Sequence, residues 1–114
     1  MPAHQKPEPM INQLPALSDA DRTFLARMPK AELHVHLEGS VRPETLVDLG
    51  RRHGVEYPFN DAESAREWYR FRDFNHFIEL FMAACDSLQT AEDYERVAWE
   101  LGETARAQNV HYLE

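Results

Sequence analysis

From Ala31 to Leu37 apolar and polar residues alternate without a break, and no other stretch limits the possible folds as much. A period of two is that of a β-strand with unlike faces. Ala31, Leu33, Val35 and Leu37 are expected on one face, and Glu32, His34, His36 and Glu38 on the other. Gly39, free to adopt backbone angles closed to other residues, is expected to end the strand. Histidines two apart on one strand face stand roughly 6–7 Å apart along the strand, so their ring nitrogens can converge on one cation. A water-facing strand more often carries Thr, Lys, Glu or Ser there. The alternative is a solvated edge strand whose His-x-His needs no metal. The closing glycine and the flanking carboxylates of Glu32 and Glu38 favour half of a metal site.

The 114 residues suffice for one small domain with a limited core. A hydrophobic fraction of 43% and a charged fraction of 28% are those of a soluble globular chain. With 20 acidic against 12 basic residues the formal charge is −8, and no basic cluster is long enough to track phosphates. Nucleic acid and anionic membranes are therefore not expected as partners, whereas a small neutral ligand is compatible. Cys85 is the single cysteine, which excludes a disulfide framework and a cysteine-based zinc cluster and fits a reducing, cytoplasmic compartment. Neither a signal-peptide core nor a bilayer-length apolar run is present.

Residues 1–17 read as a flexible tail interrupted by Pro2, Pro7, Pro9 and Pro15, and residues 18–114 as the domain. Ser18 with Asp21 predicts the capped start of a short helix bearing Phe24, Leu25 and Met28, which Pro29 stops. After the strand, Pro43 suits a first helical position and Gly54 a helix stop, with Leu46, Leu49 and Gly50 inside and Val47 at the margin. A weaker helix is expected over Ala62 to Tyr69. Asp73 then caps an amphipathic helix with Phe74, Phe77, Ile78, Phe81, Met82, Cys85 and Leu88 in one stripe. Such a stripe is expected to be mostly core, or a lid over a pocket, with Cys85 a packing residue. Thr90 and Asp93 open the last helix, whose buried side is expected to be Tyr94, Val97, Ala98, Leu101 and Ala105. Asn109 is a plausible stop, and Val110–Glu114 begin a second strand.

Strand, helices, strand, with polar residues at the strand's C-terminal end, is the pattern of parallel α/β folds and above all of the (β/α)₈ barrel. The apolar strand face would then pack against the helices, and the segment before Thr90 would fold over the barrel mouth as a partial lid. Because the chain ends inside its second strand, it is expected to be the N-terminal portion of a longer barrel protein.

The segment Pro29-Lys30-Ala31-Glu32-Leu33-His34-Val35-His36-Leu37-Glu38-Gly39-Ser40 resembles the first-strand signature of the adenosine deaminase family, within the metal-dependent amidohydrolase superfamily. The likeness runs on through Arg42-Pro43-Glu44-Thr45-Leu46, Phe71-Arg72-Asp73-Phe74-Asn75-His76-Phe77 and Asn109-Val110-His111-Tyr112-Leu113-Glu114. The resemblance implies a zinc (β/α)₈ barrel that hydrolyses the 6-amino group of an adenosine-like purine nucleoside and releases ammonia. It implies His34 and His36 as metal ligands, and His36 and Glu38 against the substrate. Relatives acting on adenosine usually carry Asp where Glu38 stands; Glu resembles relatives acting on adenine or 6-aminodeoxyfutalosine. The run Glu38-Gly39-Ser40-Val41-Arg42-Pro43-Glu44-Thr45 leans toward 6-aminodeoxyfutalosine, with adenosine kept beside it. A third histidine, an aspartate and a glutamate on later strands complete the site in the family. None has a counterpart here, so no general acid/base is assigned and the chain alone is expected to be inactive. His4, His53 and His76 are scattered, and His111 is expected to be a hydrogen-bonded structural residue. The competing readings are another His-x-His metal hydrolase, an amidohydrolase or phosphoesterase, and a non-catalytic scaffold that keeps the signature.

Overall fold

Two parallel strands are joined through helices, and the histidine pair follows directly after the first strand. The structure, a computed structural model, describes residues 16–114; most of the expected tail, with His4, lies outside the described residues. Strand β1 (Lys30–Glu32) pairs with β2 (Val110–Leu113), Lys30 opposite Val110 and Glu32 opposite Leu113. The expected strand over Ala31–Leu37 is thus cut short: Leu33–His36 have no regular structure, and Leu37–Ser40 form a 3₁₀ turn. The hydrogen bonds give the reason. The Glu114 N–H donates to the Glu32 carbonyl (3.1 Å), and the Val35 N–H donates to the Glu114 carbonyl (2.7 Å). A regular parallel ladder would take the second bond from His34, so one extra residue is accommodated and the alternation of faces is lost. Ala31 is exposed and Leu33 is 66% exposed, whereas Val35 is half-buried and Leu37 packs against the helical core, so the expected apolar face meets the helices only at its C-terminal end. Gly39 sits inside the 3₁₀ turn without a left-handed backbone; Gly54, at φ 68°, is the described glycine that has one.

The helices start and stop where their capping residues require. Helix α1 (Asp19–Arg27) begins with the Ser18 hydroxyl accepting from the Asp21 N–H and ends before Pro29. It buries no residue, and Phe24 is 66% exposed. Helix α2 (Pro43–His53) has Pro43 in its first turn and ends at left-handed Gly54, whose N–H reaches the Gly50 carbonyl. Helix α3 (Ala62–Trp68) opens on an Asp61–Ser64 capping box, α4 (Phe74–Ser87) on Asp73, and α5 (Ala91–Ala107) on the Thr90–Asp93 box. Asn109, at φ 57°, turns the chain from α5 into β2.

The core lies among the helices, not on the sheet: Val41, Leu46, Leu49, Phe59, Ala65, Ala84, Leu88 and Val97 form it. Helix α2 delivers the predicted inner residues, and Thr45 and Val47 are buried beside them. Helix α4 meets the expectation only in part: Leu88, just past its end, is in the core, and Phe81 and Cys85 are half-buried. Its packed side is His76, Leu80, Ala84 and Ser87, whereas Phe74 is 72% exposed and Phe77, Ile78 and Met82 are also exposed. Ala84 and Ser87 are small enough to let α4 approach α2 closely, which the large stripe residues would prevent. On α5, Val97 is fully buried and Leu101 and Ala105 half-buried, but Tyr94 and Ala98 are exposed. Polar ties between α2 and α5 add to the packing of Val97 in the same core as Leu46 and Leu49. The Thr45 hydroxyl donates to Glu100 (2.7 Å), and Arg96 donates to Asp48 (2.8 Å) and Glu100 (3.0 Å). Arg42 reaches the Glu100 carbonyl (2.8 Å) and the Thr104 hydroxyl (3.0 Å).

The buried Asp93 carboxylate joins the C-terminus of α2 to the start of α5. It accepts from His53 Nε2 (2.7 Å), Arg52 Nη1 (3.1 Å) and the N–H groups of Gln89 (3.1 Å) and Thr90 (2.9 Å). Burial alone would raise its pKa. The N–H groups of Gln89 and Thr90, with the His53 and Thr90 side chains, outweigh burial and hold Asp93 well below the ordinary carboxylate range.

Candidate metal centre

His34 and His36 lie between the end of β1 and the 3₁₀ turn. The Val35 N–H bond to Glu114 anchors the backbone midway between them, and the Gly39 N–H bond to the His36 carbonyl (2.9 Å) closes the turn behind them. Although the regular strand has ended, the two rings converge. Nε2 of His34 and Nε2 of His36 are 3.1 Å apart, with ring centroids at 5.1 Å and planes inclined by 56°. The 3.1 Å separation is a hydrogen-bond distance between the rings, and it is close to the roughly 3.3 Å between two imidazole nitrogens about 2.05 Å from one tetrahedral ion, so the pair could supply two ligands to a single cation. Both side chains are exposed, leaving that point open on its far side. Among the described residues no third His, Cys, Asp or Glu joins them in a cluster able to hold a metal.

Phe81 of α4 borders the pair. Its ring meets that of His36 edge to face at 5.9 Å and continues into Phe77 at 6.3 Å, which in turn meets Phe71 at 5.3 Å. The exposed stripe of α4 therefore forms an aromatic wall beside the histidines. Sequence spacing puts Phe81 in a stripe expected to be mostly core or a lid over a pocket; the i, i+4 relation to Phe77 is visible there, but not which side of α4 packs. Glu38 is half-buried in the 3₁₀ turn, near α4. Burial, and after it the negative charges of Glu38 and Asp86, push the Cys85 thiol up, which keeps it protonated and fits a packing role.

The remaining described histidines stand apart from the pair. His53 is held by Asp93, His111 bonds the Asn109 side chain at 2.7 Å as a hydrogen-bonded structural residue would, and His76 is buried on α4.

Comparison with known proteins identifies the family. The profile of the family described as Adenosine deaminase matches residues 29–114. An adenine deaminase of Chlorobium phaeobacteroides (strain BS1) is 40% identical over 91 residues, 80% of this chain and 27% of that protein. One of Vibrio parahaemolyticus serotype O3:K6 (strain RIMD 2210633) is 36% identical over the same shares of the two chains. The crystal structure of an adenine deaminase from Arthrobacter aurescens superposes with a TM-score of 0.66 at 39% identity, covering 75% of this chain and 26% of that one. The chain thus spans about a quarter of the length of the relatives it matches. Over the segment that contains the histidine pair, this chain belongs to the adenosine deaminase family.

Proposed function

We propose that these residues are the opening part of a zinc-dependent (β/α)₈ aminohydrolase that removes the 6-amino group of a purine as ammonia. The carrying observation is the convergence of His34 and His36 at a spacing that suits one ion. In this reading β1 and β2 are the first two staves, and the pair lies at their C-terminal end, where barrel enzymes place their chemistry. His34 and His36 hold the ion through Nε2, and the bond from Val35 to Glu114 keeps both rings aimed at it. When bound, zinc supplies a nucleophile from water at neutral pH. His36 and Glu38 border the substrate, and the Phe77–Phe81 wall offers an apolar surface for a flat purine while excluding water from one side of His36. The remaining ligands and the proton-transferring acid/base belong to the portion of the relatives' length that lies outside this chain. Adenine is the first substrate to test, since the relatives named above are adenine deaminases and Glu38 stands where adenosine-specific members usually have Asp. Adenosine and 6-aminodeoxyfutalosine follow.

The test is ammonia release by the full-length protein from each of these three compounds, together with zinc analysis. Activity on at least one is expected, with about one zinc per chain. His34→Ala and His36→Ala are expected to lose both zinc and activity. Full zinc content in both variants, or no turnover of any of the three by zinc-loaded protein, would overturn the assignment.

A further inference from the structure

Helix α4 packs a histidine where its neighbours along the same side are Leu80, Ala84 and Ser87. His76 is only 6% exposed, and its Nε2 has no hydrogen-bond partner. Its Nδ1 is used: it accepts the backbone N–H of Arg72 at 3.1 Å. That bond requires a bare Nδ1, so in the neutral ring the proton resides on Nε2, which is buried and unpaired. A side chain that leaves one nitrogen unsatisfied is a poor choice for packing alone, where an aliphatic residue would serve. The used nitrogen points to the role. Arg72 lies in the turn that leads into α4, directly after Phe71. Phe71 leans on Phe77 at 5.3 Å, Phe77 on Phe81 at 6.3 Å, and Phe81 on His36 at 5.9 Å. The His76 ring is itself wedged edge to face against Trp68 of α3 at 5.3 Å, so its position is set from the other side.

We infer that His76 is a positioning residue: by holding the Arg72 amide it fixes the turn before α4, and with it the aromatic wall formed by Phe71, Phe77 and Phe81 beside His36. This rests on the purine aminohydrolase reading for what the wall contacts, but not for the pin itself. His76→Leu removes the acceptor and also the orphaned nitrogen, so packing is kept while the pin is lost. His76→Asn places a carbonyl oxygen close to the position of Nδ1 and restores the acceptor. In the full-length protein, His76→Leu is expected to speed amide exchange over residues 70–73 by about tenfold or more. It is expected to raise KM for the purine by roughly fivefold to tenfold, with kcat and bound zinc within about twofold of wild type. His76→Asn is expected to return both exchange and KM to wild-type values. Unchanged KM in His76→Leu, or an equal fall in kcat and zinc content, would overturn the inference. A wild-type protein that turns over no purine defeats the functional reading alone. The exchange measurement still decides the pin in that case: residues 70–73 equally protected in His76→Leu would overturn it.

Discussion

Asp93 shows how a residue that reads as an ordinary capping acid becomes a structural hub. Its spacing from Thr90 predicts a capping box, and the structure contains one. Nothing in the local sequence announces that His53 and Arg52, forty residues earlier, would turn back onto the same carboxylate. Replacing it strands the N–H groups of Gln89 and Thr90 and the nearly buried His53 ring, while Arg52, 55% exposed, can turn to water. Asp93→Ala is expected to cost about 3–5 kcal/mol of folding stability, and Asp93→Asn about 1.5–3 kcal/mol, as measured by urea unfolding at neutral pH. Because the folded-state pKa of Asp93 is depressed, its contribution is fully present above the unfolded value of about 3.9 and is lost as pH falls through the lower folded value. The gap in unfolding free energy between wild type and Asp93→Asn should therefore narrow as pH falls below about 4. A gap that stays constant through that acid range would contradict this role.

Among the helices, two glycines with the same propensity penalty make opposite predictions. A β-carbon at Gly50 on α2 would come within 2.5 Å of Tyr57 Cε2 and 3.2 Å of the Val55 carbonyl. The Tyr57 ring cannot easily retreat, because it stacks on Phe59 at 5.1 Å and its hydroxyl donates to the Ala83 carbonyl at 3.2 Å. Gly50→Ala is expected to destabilise by about 1–3 kcal/mol despite the better helix former. Gly102 on α5 has open space around the same position, and Gly102→Ala is expected to stabilise by up to about 1 kcal/mol. Thermal melts of the two variants shifting in opposite directions would bear this out. Helix limits and caps were legible because they depend on nearest neighbours: Ser18, Pro43, Gly54, Asp73 and Thr90 all act where their residue type predicts. The packed side of α4 was not legible, since hydrophobicity favours the phenylalanines while close approach to α2 selects Ala84 and Ser87.

Taken together, the helices share a core while the two-stranded parallel sheet contributes little to it. Tyr112 and Leu113 are exposed on that sheet, and Leu33 is exposed just past the end of β1. Parallel sheets are ordinarily covered on both faces, and two strands cannot close a barrel. The 114-residue chain alone is accordingly expected to release no ammonia from adenine and to bind zinc more weakly than the full-length protein. Calorimetric zinc titration and an ammonia assay on the purified chain check both, and sustained turnover would refute the expectation.

From the order of residues alone one can read the caps, the inner side of α2, the return to a second parallel strand, and a histidine pair able to meet one ion. These follow from backbone period and local side-chain chemistry, which act over a few positions. Three-dimensional packing settled the rest: the early end of β1, the outward aromatic wall of α4, the bond from His76 to Arg72 and the network around Asp93. Each depends on groups distant in sequence competing for the same space or the same hydrogen bond, and that competition exists only once the helices have met.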